Sequence, residues 1–427
     1  MIEINENGIL EIGNVSCEKI VKKYGTPVYV FDQQIIEDNI DKFKSSIEKN
    51  YDGHGMVLYA SKAFCCKEMY RILKKKKIGA DIVSLGELYT ALSVNFDPQN
   101  LVFHGNNKSK HDLIVAIENN VGRIIVDSTS EVEKIIEISN KLDKKVNVII
   151  RVNPGIEVHT HEYIKTGQVD SKFGVAIESK EIYEIITKII NSDNVILKGL
   201  HCHIGSQIFE IQPFEDAAEI MLEFIKHIKD KFSFEIKELN LGGGFGIRYT
   251  KKDDKVPFEN YLEKVAVRVE KVCNKLNINK PFIYIEPGRS IVGEAGVTLY
   301  KAGTIKDIKG IRKYVSIDGG MTDNPRYALY NAEYEIAVAT RMHENKNQKI
   351  TLAGKCCESG DLIGENMKIQ NVKEGDIIAV FSTGAYNYSM ASNYNRTPKP
   401  PVVMVKNKKD RLIIKGETYL DMYKYDL

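Results

Sequence analysis

Lys62 is the residue whose surroundings best suit covalent chemistry. It lies in the segment YASKAF, two residues beyond a short strand-like run, among small residues and close to an aromatic. A lysine amine can form a Schiff base with an aldehyde cofactor when burial or a nearby cation lowers its pKa. A lysine after a strand is, by itself, most often a surface residue. The assignment of Lys62 to this chemistry therefore depends on the motifs that accompany it.

Two glycine-containing loops are suited to binding an anion. NLGGGFG at 240–246 has three consecutive glycines, whose backbone N–H groups can approach a phosphate without hindrance from Cβ. It does not match the dinucleotide fingerprint GxGxxG, because Ile247 stands where the third glycine would be. EPGRS at 286–290 ends the next strand-like run, and in (β/α)8 barrels the loops after strands seven and eight often bind phosphate. The alternative is an ordinary glycine-rich turn.

HCHIGSQ at 201–207 places His201 and His203 on one face of a predicted strand, with Ser206 just past its end. Two histidines at this spacing can hold a metal, but no further ligand with matching spacing is obvious nearby, so we predict no metal site. An imidazole stacked on a planar cofactor ring, with the serine hydroxyl on a phosphate, explains the motif better. The alternative is a core histidine satisfied by hydrogen bonds.

Two further segments place reactive or binding groups in loops. AGKCCESGD at 353–361 carries a thiol beside an acid at a turn between strands. Cys357 could donate a proton there, and Glu358 could bind an amine. GAYNYSMASNYNRTPKP at 384–400 supplies a tyrosine cluster in a loop rich in Gly, Asn and Pro, where binding residues are often found.

Composition excludes several classes of protein. The 427 residues are 43% hydrophobic and 28% charged, which is enough for two or three globular domains. With 60 Lys and Arg against 58 Asp and Glu, the charge is too balanced for nucleic acid or an anionic membrane as main partner. The acidic N-terminus and the absence of a long apolar run predict a cytoplasmic protein. The 7 cysteines include two adjacent pairs, which indicates reduced thiols.

Eight short β-branched runs alternate with helix-patterned segments, which predicts a (β/α)8 barrel over residues 35–285. The runs are MVLYA, IGADIVS, LVFHG, RIIVD, NVIIRVN, LKGLHCH, ELNLGGG and FIYIEPG. Catalytic groups of such barrels lie where the strands end. The side chains expected at those ends are Lys62, Asp81, His104, Arg151, His203 and Glu286, together with the backbone of Gly242 to Gly244.

The remaining segments predict a second, mostly β domain over residues 286–427, because short alternating runs are separated there by turns. Two strand-like runs near the N-terminus, NGILEIGNV and TPVYVFD, are expected to bring residues 1–34 into the same domain. Residues 159–171, polar and containing glycine, are a candidate lid or simply a surface loop.

In these motifs the chain resembles the diaminopimelate decarboxylase family, pyridoxal-phosphate enzymes of the alanine-racemase-like fold type, over essentially its whole length. The segments that carry the resemblance stand in the family's order: YASKAF, GADIVSLGEL, FHGNNKS, RVNPG, SKFG, HCHIGSQ, LGGGFG, EPGRS, CESGD and SNYN. The departures are few: Phe64 stands where many relatives have Asn, and the segments at 324–330 and 393–400 are variants of their motifs.

The resemblance implies decarboxylation of meso-diaminopimelate to L-lysine with pyridoxal 5'-phosphate. Lys62 would carry the cofactor as a Schiff base, His203 would stack on its ring, and Glu286 would keep the pyridine nitrogen protonated. Asp81 belongs to the same expected set. The phosphate would be held by Ser206, Gly242, Gly243, Gly244, Gly288, Arg289 and Tyr386.

The resemblance also implies a substrate site and an assembly. Arg289, Arg326 and Tyr330 are similar to the family's substrate-carboxylate residues, and Tyr386 is expected beside them. Glu358 would face a substrate amine, and Cys357 would be the proton donor after CO2 departs. In this family the CESGD loop comes from the neighbouring subunit, so the resemblance implies a homodimer with two shared sites.

Alternatives of two kinds remain open. A relative of the same fold type could decarboxylate ornithine, arginine or carboxynorspermidine, but Arg289 with Arg326 favours a substrate whose distal end is a carboxylate. A racemase would usually employ a tyrosine base in place of CESGD. A catalytically silent homologue would tend to lose the lysine or the phosphate loop, and this chain has both.

Overall fold

The computed structural model describes residues 2–156 and 172–427, so the candidate lid at 159–171 lies outside the described residues. Contacts divide the chain into two units, which we call the β unit and the barrel unit. The β unit consists of Met1–Asn39, Ile247–Asp254 and Arg289–Leu427, and the barrel unit of Ile40–Gly246 and Lys255–Gly288. The domain boundaries expected at residues 34 and 285 stay predictions.

The strands along the chain are β1 (Ile2–Ile4), β2 (Leu10–Ile12), β3 (Val15–Ser16), β4 (Val28–Asp32), β5 (Gly55–Ala60), β6 (Gly79–Ile82), β7 (Leu101–Phe103), β8 (Arg123–Val126), β9 (Val146–Asn153), β10 (Val175–Ala176), β11 (Val195–His201), β12 (Glu238–Asn240), β13 (Phe282–Ile285), β14 (Gly296–Ile308), β15 (Arg312–Ile317), β16 (Ile336–Val338), β17 (Gln348–Ala353), β18 (Leu362–Ile369), β19 (Ile377–Phe381), β20 (Val402–Lys406) and β21 (Lys409–Ile414).

The α-helices are α1 (Cys17–Tyr24), α2 (Gln33–Tyr51), α3 (Lys67–Lys76), α4 (Leu85–Leu92), α5 (Lys110–Glu118), α6 (Thr129–Leu142), α7 (Lys180–Ile190), α8 (Gln212–Phe232), α9 (Phe258–Leu276), α10 (Arg289–Val292) and α11 (Arg326–Tyr330).

The barrel unit contains a closed parallel barrel, as the sequence predicts. Its strands neighbour one another in the order β5, β6, β7, β8, β9, β11, β12 and β13, and β13 pairs with β5 to close the ring. The short β10 adds to β9. Helices between the strands bury one face only: α7 buries Ile182, Ile185, Ile186 and Ile189, which recur at helical spacing. Each buried isoleucine stabilises the fold by about 1.5–3 kcal/mol.

The β unit is built around β14, which pairs with β4, β15 and β19. Because β4 also lies parallel to β20, the N-terminal strand joins the C-terminal strands, as expected. Valines and leucines from these strands form the core, including Val28, Val30, Val297, Leu299 and Val403. Among the described residues, no helix is both long enough and apolar enough to span a bilayer.

Candidate active site

Glu286 is the centre of a buried polar cluster at the carboxyl ends of the barrel strands. Its Oε1 accepts hydrogen bonds from His104 Nε2 and from Asn240 Nδ2, each at 2.7 Å, and its Oε2 lies 3.2 Å from His201 Nε2. His104 follows β7, His201 ends β11 and Asn240 ends β12, so three strands supply the donors. The barrel therefore converges on one carboxylate.

Glu286 is anionic in this cluster. Burial by itself would raise the pKa of Glu286, but His104 and His201 outweigh burial and hold that pKa well below its usual range. Burial lowers the pKa of His104, and it lowers the pKa of His201 to about 4. Both imidazoles are thus neutral near pH 7 and donate through Nε2. A buried anion with neutral donors is a suitable partner for a cationic group of a ligand.

The same three side chains have the spacing of metal ligands. The ligand atoms of His104, His201 and Glu286 lie within 4.8 Å of one another. Hydrogen bonds between these residues already satisfy the carboxylate without an ion. The prediction of no metal site remains a prediction.

Lys62 lies beside this cluster in a turn that Asp81 fixes. The turn, Ser61–Ala63, follows β5, and the Lys62 side chain is exposed. Asp81 is buried in β6, and its Oδ1 accepts the backbone N–H of Ser61 at 3.0 Å. Burial, followed by the charge of Glu286, raises the pKa of Asp81 well above its usual range. The lysine amine is therefore accessible to a ligand on a fixed turn.

His203 does not share a strand with His201, so that part of the sequence interpretation is wrong. β11 ends at His201, because the chain turns there into the HIGS loop. The backbone N–H of Gly243 donates to His203 Nδ1 at 3.4 Å. Burial, then the charges of Lys62 and Arg151, lowers the pKa of His203 well below its usual range. A neutral imidazole is a good stacking surface for an aromatic ring.

The loops after β11 and β12 form a backbone-lined cradle that only glycine can build. A Cβ on Gly243 would lie 2.1 Å from the carbonyl oxygen of Glu286, and one on Gly244 would lie 2.5 Å from that of Gly205. Gly244 also has φ of +112°, which disfavours other residues. Ser206 lies in the same pair of loops. Backbone amides and a serine hydroxyl are groups that bind phosphate. Here the N–H groups of Gly242 and Gly243 donate to Asn240 Oδ1 and His203 Nδ1.

Two other predicted phosphate glycines are equally constrained. Gly242 has φ of +68°, and a Cβ there would lie 2.6 Å from the carbonyl oxygen of Cys202. A Cβ on Gly288 would lie 2.7 Å from the Cβ of Ala60, at the end of β5. The tight packing brings the loops after β5, β11, β12 and β13 together at one end of the barrel.

The β unit gathers Arg289 and Arg326 around Tyr249. Both arginines are buried, at the first residues of α10 and α11. Arg289 Nη1 donates to the Tyr249 hydroxyl at 2.5 Å, and the Arg326 guanidinium lies 5.0 Å from the centroid of the Tyr249 ring. Arg326 Nη1 also donates to the Tyr334 hydroxyl at 2.9 Å. Paired guanidinium groups are suited to binding a carboxylate.

Tyr330 and Tyr386 lie against the same arginines. The Arg289 guanidinium is 4.7 Å from the Tyr386 ring, and the Arg326 guanidinium is 6.0 Å from the Tyr330 ring. Tyr386 has φ of +65°, a strained conformation that functional sites often retain. The structure thus brings these four predicted residues together, and it adds Tyr249, which no motif marked.

Cys357 and Glu358 lie in neither buried cluster. Both are exposed, in the loop between β17 and β18. The Cys357 backbone N–H donates to Asn395 Oδ1 at 3.0 Å, and the buried Asp361 accepts the Cys356 backbone N–H at 2.6 Å. The loop is therefore held by its own Asp361 and by Asn395 of a later segment, and the Cys357 and Glu358 residues are exposed to solvent.

Comparison with known proteins gives a consistent result. Residues 36–293 match the family model of the pyridoxal-dependent decarboxylases, pyridoxal binding domain. The diaminopimelate decarboxylase of Bacillus subtilis (strain 168) is 45% identical over 423 residues, 99% of this chain and 96% of the relative. The diaminopimelate decarboxylase of Staphylococcus aureus (strain COL) is 44% identical, and the match covers 98% of this chain and 97% of the relative. The crystal structure of the M. jannaschii diaminopimelate decarboxylase with L-lysine has a TM-score of 0.91 and 35% identity, covering 100% of this chain and 98% of that chain.

Proposed function

The chain belongs to the diaminopimelate decarboxylases, within the pyridoxal-dependent decarboxylases, and we propose that it converts meso-diaminopimelate to L-lysine and CO2. It is a lyase whose cofactor is pyridoxal phosphate. The single observation that carries the proposal is the buried Glu286 carboxylate, kept anionic at the end of the barrel that also carries Lys62.

The barrel unit has the chemistry that this cofactor requires. Pyridoxal phosphate supplies an electron sink for the bonding electrons released as CO2 leaves the α-carbon. Lys62 would hold the cofactor through its amine, and Asp81 would keep the turn of Lys62 in place. Glu286 would pair with the ring nitrogen and keep it protonated, and His203 would cover one face of the ring.

The phosphate would be bound by backbone amides. A side chain at Gly243 would collide with the carbonyl oxygen of Glu286, so the backbone of this loop carries no Cβ here, which supports this role. Gly242, Gly244 and the Ser206 hydroxyl would complete the cradle. Further phosphate ligands would be the amides of Gly288 and Arg289 and the hydroxyl of Tyr386.

The β unit would recognise the substrate. Arg289 and Arg326 would bind the carboxylate that is not lost, with Tyr330 and Tyr386 beside them. Two buried guanidinium groups suit a substrate whose distal end carries a carboxylate. Ornithine and arginine have no carboxylate at that end. We assign substrate amine binding to Glu358. Cys357 would transfer a proton from Sγ to the α-carbon.

We further propose that the enzyme is a homodimer with shared sites. The exposure of Cys357 and Glu358 supports this, because exposed side chains can reach the site of a neighbouring subunit. We also propose that the protein is cytoplasmic, as its sequence predicts.

A substrate panel tests the function. The holoenzyme is incubated separately with meso-diaminopimelate, ornithine and arginine, and CO2 and the amine product are measured. We expect CO2 and lysine from diaminopimelate alone. Turnover of ornithine or arginine instead would contradict the roles of Arg326 and Glu358.

A further inference from the structure

Tyr249 joins the two arginines assigned to the substrate, although nothing in its spacing marks it. Its hydroxyl accepts the hydrogen bond of Arg289 at 2.5 Å, and the Arg326 guanidinium lies 5.0 Å from its ring centroid. Its backbone N–H donates to Asp253 Oδ2 at 2.9 Å, which fixes the segment that presents the ring. One buried phenol therefore contacts both guanidinium groups.

Phenols contact both guanidinium groups of this cluster. Two buried cations that share a neighbour repel each other and are expensive to desolvate without an anion. Among the described residues Arg326 forms no ion pair, and its hydrogen bond goes to the hydroxyl of Tyr334. Burial would raise the pKa of Tyr249, but the charges of Arg289 and Arg326 outweigh burial and lower it. Burial leaves the pKa of Tyr334 raised.

We propose that Tyr249 is a positioning residue: as a neutral phenol it holds Arg289 and Arg326 ready for the distal carboxylate of the substrate, and as a phenolate it competes with that carboxylate for the two guanidinium groups. The inference rests on the proposed function, because it takes these arginines as the carboxylate site. A phenolate and a carboxylate on the same guanidinium groups would repel each other. The substrate therefore binds to the enzyme in which Tyr249 is protonated.

The groups that face the Tyr249 side chain define what else could titrate with it. They are Arg289 of α10, Arg326 of α11 and the phenol of Tyr334, whose ring meets that of Tyr249 edge to face at 5.5 Å. Tyr386 faces Arg289 from the other side, at 4.7 Å. Guanidinium groups do not lose their proton in the accessible pH range, whereas the amines of the substrate do titrate at alkaline pH. The comparison with Tyr249→Phe, and not the wild-type profile alone, therefore identifies the phenol.

Tyr249→Phe in the holoenzyme is the first test. Tyr334→Phe, which also removes a hydrogen bond to Arg326, is the control for the pH profile. Loss of a hydrogen bond to a charged group predicts a KM for diaminopimelate raised about 10- to 100-fold, with a smaller change in kcat. In the wild type, kcat/KM falls on the alkaline side as Tyr249 ionises. Tyr249→Phe should lack the part of that fall that comes from Tyr249, and Tyr334→Phe should keep the wild-type profile. A Tyr249→Phe enzyme with the wild-type KM and the wild-type alkaline fall would overturn the inference.

Ultraviolet titration of phenolate gives a readout that does not depend on activity. The chain has 22 tyrosines, so the signal of Tyr249 is the difference between wild-type and Tyr249→Phe titrations. We expect one phenol to ionise early, and L-lysine, which keeps the distal carboxylate, to move that step to higher pH. If Tyr249→Phe fails to fold, the wild type is titrated with and without L-lysine. A first phenol ionisation at the same pH in both titrations contradicts the inference. Absence of wild-type turnover of diaminopimelate would instead contradict the proposed function.

Discussion

The imidazole rings of His104 and His201 meet edge to face, with centroids 4.9 Å apart and an interplanar angle of 74°. This arrangement lets both rings direct Nε2 at Glu286 without stacking on each other. Because His104 follows β7 and His201 ends β11, the negative charge of Glu286 depends on two separate strands of the barrel and not on a single loop. The electrostatics of the proposed site are thus a property of the fold.

Glu286→Gln should remove the charge and keep the shape. Without an anion to hold the ring nitrogen protonated, we expect decarboxylation to fall by about 10²–10³-fold. Cofactor binding, measured by absorbance of the desalted protein, should change much less. Glu238→Gln is the control, since Glu238 is also buried in the barrel unit but pairs with Arg123 at the amino ends of the strands. Equal losses in both variants would show that the effect is structural.

Lys62→Ala should abolish stable attachment of the cofactor. The visible absorbance band of lysine-bound pyridoxal phosphate should be absent after desalting, and turnover should fall by at least about 10³-fold. Lys67→Ala is the control, because Lys67 is also exposed and begins α3 a few residues later. A retained band in Lys62→Ala would contradict the assignment.

Acid should destabilise the cofactor-free protein partly through His201. Burial lowers the pKa of His201 from 6.5 to about 4, so the unfolded chain takes up a proton before the folded one does. The contribution of His201 to the free energy of unfolding is complete above pH 6.5 and is lost as the pH falls towards 4. The slope of this loss is at most about 1.4 kcal/mol per pH unit. The free energy of unfolding, measured by denaturant titration, should fall accordingly.

The His201 contribution is isolated by comparison with His201→Gln, which keeps an N–H donor but does not titrate. Asp323 acts in the opposite direction, because burial raises its pKa to about 7 and its ionisation weakens the folded state as the pH rises. Asp323 is present in both proteins, so its effect cancels when the free energy of unfolding of His201→Gln is subtracted from that of the wild type at each pH. A slope in His201→Gln equal to that of the wild type would contradict the assignment.

The sequence predicts the barrel well because parallel strands are continuous apolar runs, which periodicity detects. It misses β18, where Gly364 and Asn366 interrupt the alternation, the latter with φ of +54° and a shifted register beside it. It also misses Tyr249. The contact of Tyr249 with Arg289 and Arg326 joins segments far apart in the chain, and only the fold of the β unit brings them together.

Gly243→Ala should damage the phosphate cradle. The new Cβ would lie 2.1 Å from the carbonyl oxygen of Glu286, so one of the two loops must move. We expect a loss of about 1–3 kcal/mol in the free energy of unfolding and a weaker affinity for pyridoxal phosphate, measured by titration. Gly303→Ala in β14 is the control, since the nearest heavy atom to its Cβ would be 3.7 Å away. If both variants bind the cofactor equally, the cradle is assigned wrongly.

Mixing two inactive variants tests the shared site. Lys62→Ala lacks the cofactor amine, and Cys357→Ala lacks the proposed proton donor, so each homodimer alone should be inactive or nearly so. If Cys357 serves the neighbouring subunit, a mixed dimer has one site with both residues intact and one with neither. Random exchange of subunits then restores about one quarter of the wild-type activity, because half of the dimers are mixed. If each site is built from one subunit, the mixture stays as inactive as its components. Size-exclusion chromatography with light scattering should show a dimer in every sample, and co-purification of the two variants through a tag on one of them should show that mixed dimers formed. Absent complementation then reflects site architecture.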